Sequence, residues 1–123
     1  MDPARILGLE PGDAHVLRNA GAVVTADLSR SLAISQHQLD TRELVVIAHT
    51  GCGMLSFSDD EFAAHLARET GEPPPWTAGA FADLERSVRE RVRHLRRDPF
   101  LRHTDRVTGL VYDVESGRLR EVT

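Results

Sequence analysis

One stretch restricts the fold more than any other: Leu44-Val45-Val46-Ile47-Ala48, followed at once by His49-Thr50-Gly51-Cys52-Gly53-Met54. Five apolar residues in a row predict a strand buried on both faces, of the kind found inside a parallel sheet. At its end stand His49 and Cys52, the only cysteine of the chain, spaced i, i+3. Imidazole and thiolate are the side chains that zinc prefers. Gly51 and Gly53 allow a sharp turn and leave room around the sulfur. A helix starting soon afterwards would favour the thiolate over the thiol. The carboxyl end of a parallel strand is also where α/β proteins place their sites. The same residues have a plainer reading, as a small buried thiol near an unrelated histidine. Two donors, moreover, do not close a zinc site.

The remaining segments supply the layers such a strand needs. Pro3 and Gly8 bound a short helical turn, and Asp13 to Leu17 reads as a short strand closed by a tight loop at Arg18-Asn19-Ala20-Gly21. His15 lies within that strand as a packed or hydrogen-bonded histidine. Leu28, Leu32, Ser35 and Leu39 recur at helical spacing, giving a helix over 27–39 capped by Asp27 or Ser29, with His37 on its solvated side. Strand, helix, strand is a βαβ unit, so the strands at 13–17 and 44–48 are expected to run parallel. Ser58 and Glu61 form a capping box for a helix that turns Phe62, Ala63 and Leu66 inward and stops at Gly71. Glu72 to Trp76 is a stiff proline-rich connector with the indole packed down. Phe81, Leu84, Val88, Val92 and Leu95 keep helical period over 80–97, with Glu85 four residues before Arg89. Arg91, Arg93, Arg96 and Arg97 crowd its last turns as a solvated basic end. Strands at 107–113 and 118–122 flank a turn at Glu115-Ser116-Gly117 and predict a hairpin. The expected architecture is α/β: a small, mainly parallel sheet flanked by helices, with a C-terminal β-hairpin, in a single domain over 1–123.

Composition narrows the class of partner. A chain of 123 residues with net charge −4 and 28% charged residues is an ordinary globular domain without a basic footprint for nucleic acid. No apolar run approaches the roughly 20 residues of a membrane span. The first residues lack a signal peptide, and the lone cysteine fits a reducing compartment, so a cytoplasmic location is expected. The glycines at 8 and 12 make no phosphate loop, since no Gly-Lys-Ser/Thr follows, and no Gly-x-Ser-x-Gly elbow exists. An i, i+3 pair of His49 and Cys52 suits joint binding of one ion better than a base drawing a proton from a thiol.

Three motifs together resemble a known family. The run Asp13-Ala14-His15-Val16-Leu17-Arg18-Asn19-Ala20-Gly21, the segment Ser31-Leu32-Ala33-Ile34-Ser35, and Leu44 to Met54 with His-Thr-x-Cys-Gly-Met are similar to β-class carbonic anhydrases. So is the tail Gly109 to Leu119, which resembles the family's closing hairpin. The resemblance spans the chain from Ala4 onward, in order. It implies zinc held by two cysteines and one histidine, with His49 and Cys52 in the second and third ligand positions. It implies reversible hydration of carbon dioxide to bicarbonate, in a homodimer or higher homo-oligomer. Arg18, Asn19 and Gly21 match a stretch near the active site and subunit interface. One departure is large: the family's first ligand lies in a Cys-x-Asp-Ser/Ala-Arg motif, which also supplies a catalytic Asp–Arg pair, and neither is present here. Two expectations follow. Either the native protein starts upstream of Met1, or the chain is a truncated, inactive homologue serving as a binding or structural subunit.

Overall fold

The structure, a computed structural model, describes residues 1–122. Its order is α1 (Pro3–Leu7), a 3-10 turn (Ala20–Ala22), α2 (Ala26–Leu39), β1 (Leu44–His49), a second 3-10 turn (Gly53–Leu55), α3 (Asp59–Thr70), α4 (Leu84–Arg96), β2 (Val107–Tyr112) and β3 (Leu119–Glu121). The sheet has three strands in the order β1-β2-β3. β1 and β2 pair in parallel from Leu44↔Val107 to His49↔Tyr112, and β2 pairs antiparallel with β3. The α/β class and the terminal hairpin agree with the sequence reading. The parallel partner does not. Residues 13–17 form no strand and lie exposed, so the parallel pair is made through the crossover that carries α3 and α4. Asp13-Ala14-His15-Val16-Leu17 has the right residue types for a strand, but a strand exists only where a ladder partner satisfies its backbone.

Burial of β1 is one-sided, which also corrects the expectation. Leu44, Val46 and Ala48 are buried, whereas Val45 is 41% exposed. The inward set meets Val88, Val92 and Leu95 of α4 and Val107 and Val111 of β2, with Leu101 and Val122 completing the core. The other face of β1 opens onto a broad groove of about 1380 Å³, walled partly by Leu28, Ile34 and Leu39 on the α2 side.

Local signals account for most helix ends. Asp2 accepts from the amides of Ala4 and Arg5, and Ser58 Oγ accepts from Glu61 N–H at 3.2 Å. The cap of α2 is Thr25, whose Oγ1 accepts from Leu28 N–H, rather than Asp27 or Ser29. The inward face of α2 carries Ser35 and Gln36, while Leu39 at its end is exposed. α4 starts at Leu84, capped by Asp83, so Phe81 belongs to the loop before it. Glu85 does pair with Arg89, at 3.1 Å. Trp76 is not packed down: it is 58% exposed, its ring 6.5 Å from that of Phe62. α3 has no fully buried residue, so nothing closes over the indole.

The hairpin loop is set by one carboxylate. Asp113 Oδ1 accepts from the amides of Glu115 (2.9 Å) and Ser116 (3.3 Å). These bonds hold its carboxyl below the usual aspartate range. A depressed pKa contributes stability above the unfolded-state value, and that contribution disappears as pH falls through the folded-state value. Protection of the Glu115 and Ser116 amides from hydrogen exchange is therefore expected to drop, relative to the β2 amides, only below about pH 4. Asp113→Asn should abolish that pH step. A ratio that stays flat across this range in the wild type would contradict the assignment.

Candidate metal centre

β1 ends by handing its last residue to a loop held by the distant C-terminus. Thr50 N–H donates to Tyr112 O at 2.9 Å, and Thr50 Oγ1 accepts from Val114 N–H at 3.0 Å. His49 is thereby fixed at the strand's carboxyl end. Its Nδ1 lies 2.8 Å from Thr50 O. A carbonyl only accepts, so Nδ1 is the donor, and in the neutral imidazole the lone pair lies on Nε2. A backbone carbonyl on the second nitrogen is the usual way a ligating imidazole is oriented.

Cys52 is a free, half-buried thiol that precedes the Gly53–Leu55 turn. That turn is three residues long and α3 begins only at Asp59, so the helical field anticipated for the thiolate is not supplied here. His49, Cys52, Arg18, Asn19 and Gly21 all border the same groove, together with His15. The structure thus brings the five sequence-predicted residues to one surface.

Their roles within it differ. Asn19 is extended rather than left-handed, and its side chain clamps the following turn: Oδ1 accepts from Val23 N–H (3.0 Å) and Nδ2 donates to Val23 O (2.8 Å). Gly21 has φ +79° and faces Met54, whose Cγ would lie 2.9 Å from an added Cβ. Only glycine satisfies both the dihedral and the contact. Arg18 is exposed and makes no hydrogen bond or ion pair among the described residues. His15 bonds as expected of a structural histidine, its Nδ1 2.6 Å from Ser35 Oγ, which lies 2.7 Å from Thr41 Oγ1.

Sequence reasoning missed Arg91, placed among the solvated arginines of α4. Its Nε donates to Ala22 O at 3.1 Å and a terminal nitrogen to Gly79 O at 3.4 Å, while the guanidinium lies 5.7 Å from the Phe81 ring centroid. Desolvation pushes its pKa down, partly offset by Glu90 and Asp59. The available signal was phase: Arg91 stands three residues after Val88 and four before Leu95, at the edge of the buried stripe of α4.

By donor chemistry His49 and Cys52 fit zinc as part of a set. Among the described residues no group of three or more His, Cys, Asp or Glu could hold a metal ion. Zinc sites take three or four protein ligands, so this pair is an incomplete one.

A family model described as carbonic anhydrase matches residues 1–76. The chain is 46% identical over its whole length to β-carbonic anhydrase 1 of Mycobacterium tuberculosis, covering 76% of that protein. It is 32% identical over 94% of its length to a carbon disulfide hydrolase of an Acidianus species, covering 68% of that protein. Among solved structures, a carbonic anhydrase from Streptococcus mutans superposes with a TM-score of 0.92 at 44% identity, over 100% of this chain and 75% of that one. No described helix is long and apolar enough to cross a membrane.

Proposed function

The chain belongs to the β-carbonic anhydrase family, and on that premise we propose that it serves the reversible hydration of carbon dioxide to bicarbonate, with His49 and Cys52 as two of the ligands of a zinc ion. Zinc, when bound, supplies the Lewis acidity that activates a water molecule toward an electrophilic carbon. The observation that carries the reading is the anchoring of His49: its Nδ1 is bonded to Thr50 O, which leaves Nε2 without a hydrogen-bond partner among the described residues, on a residue that lines the same groove as Cys52. The thiol of Cys52 provides the second donor, and the apolar side chains of β1 and α2 line part of the approach for a small uncharged substrate. Arg18, Asn19 and Gly21 line the same groove, Asn19 and Gly21 fixing the turn beside Met54 and Arg18 adding an exposed cation. The working form in this reading is a homodimer or higher homo-oligomer, and the location is cytoplasmic.

The incomplete donor set among the described residues favours a second reading, a non-catalytic family member acting as a binding or structural subunit. Zinc analysis separates the two. The first reading requires about one zinc per chain, retained through dialysis, in the wild type and almost none in Cys52→Ser, with carbon dioxide hydration followed by stopped-flow falling in parallel; the second requires none. Assaying carbon disulfide beside carbon dioxide tests the substrate assignment directly. A wild-type protein that retains no zinc would sink the first reading and leave the second.

A further inference from the structure

Three loops converge on Met54, two residues beyond Cys52. Gly21 packs on the Met54 side chain, and Phe81 N–H donates to Met54 O at 3.2 Å. Gly79 is packed against Val23, whose methyl group would lie 2.8 Å from a Cβ at that position. Ala80 N–H donates to Asp59 Oδ1 at 2.7 Å. The turn at 20–23, the segment at 79–81 and the Cys52 loop therefore form one contiguous unit. None of the three belongs to the sheet, and none contributes to the buried core cluster except through the partly buried Ala22.

One side chain ties this unit to the rigid part of the fold. Arg91 projects from α4 between the fully buried Val88 and Leu95 and reaches a carbonyl on each of two loops, Ala22 O and Gly79 O, while its face lies against Phe81. The guanidinium is suited to this, because its planar donors leave in fixed, divergent directions. A half-buried cation is tolerated here through its bonds to two carbonyls and the ring contact, with Glu90 and Asp59 offsetting part of the desolvation.

From this geometry we infer that Arg91 is a positioning residue, clamping the 20–23 and 79–81 loops to α4 and so holding the Cys52 loop against the end of β1. It touches neither donor and acts through Gly21, Phe81 and Met54. The inference rests on the reading of His49 and Cys52 as the metal pair only for what the clamp serves.

The test compares Arg91→Met and Arg91→Lys with Leu101→Ala, a destabilising change in the core cluster away from these loops. Each protein is examined as isolated, at matched zinc content and well below its unfolding temperature. In Arg91→Met, alkylation of Cys52 by iodoacetamide and hydrogen exchange at the Val23 and Phe81 amides are expected to accelerate about tenfold, with α4 amides unchanged. Arg91→Lys keeps the charge but cannot span both carbonyls, so an intermediate acceleration is expected, and this variant decides the matter if Arg91→Met does not fold. Leu101→Ala should leave the Cys52 rate within about twofold. Equal rates in wild type and the Arg91 variants, or an equal rise in Leu101→Ala, would overturn the clamp. Absence of zinc from the wild type would count against the metal reading and leave this comparison intact.

Discussion

Gln36→Ala should lower the stability of the fold by about 4 kcal/mol and its Tm by roughly 15 °C. Gln36 is fully buried on α2, and each polar atom of its amide bonds to one distant backbone unit: Nε2 donates to His103 O at 2.9 Å, and Oε1 accepts from His103 N–H at 2.9 Å. Truncation strands a carbonyl and an amide away from water, each worth about 1–3 kcal/mol, and opens a cavity as well. Gln36→Met separates the two effects by keeping the volume while removing both bonds; about half the loss is expected there. Urea unfolding measures each. A Gln36→Ala change below about 1 kcal/mol would show that water reaches the 103 backbone, contrary to the packing described.

Gly109→Ala is expected to cost about 3 kcal/mol, at the upper end of overpacking effects. A Cβ at 109 would lie 2.6 Å from Val88 Cγ1, 3.0 Å from Val92 Cγ2 and 2.9 Å from Val122 O. Both valines are about 1% exposed, with no space to rotate into, and the carbonyl belongs to a residue whose own N–H is bonded to Gly109 O at 2.8 Å. Relief requires β2 to move off α4, and β2 is the middle strand. Thermal unfolding should show a Tm lower by roughly 10 °C; a shift under about 2 °C would mean that α4 is free to retreat.

What the sequence shows of this fold is whatever is written locally. α2, β1, α3, α4 and the hairpin announce themselves through periodicity, caps and turn residues, because each signal lies within a few positions of its effect. Residues 13–17 fail for the opposite reason: a strand is a relation between two segments, and nothing in five residues tells whether a partner exists. The same limit hid the open face of β1, since an apolar run looks alike whether one face is covered or two. Gln36 and Arg91 were passed over because polar residues on a helix default to solvent. Their partners lie off the helix, His103 and Ala22 more than sixty residues away and Gly79 in the loop before α4. At the candidate centre, residue types pointed to His49 and Cys52, and the carbonyl that settles the imidazole's tautomer is visible only in three dimensions.

The anchoring of Thr50 bears on when, as well as where, the centre exists. The strand end that carries His49 is held by Tyr112 and Val114, the latter sixty-four residues away in sequence. β1 finds its only described ladder partner in β2, near the other end of the chain. On a ribosome the histidine and the thiol emerge some sixty residues ahead of the segment that fixes them. Until then β1 lacks the ladder partner described here, and an apolar segment awaiting its partner is open to wrong pairing during synthesis. Assembly of the centre is therefore a non-local event that requires closing that long loop.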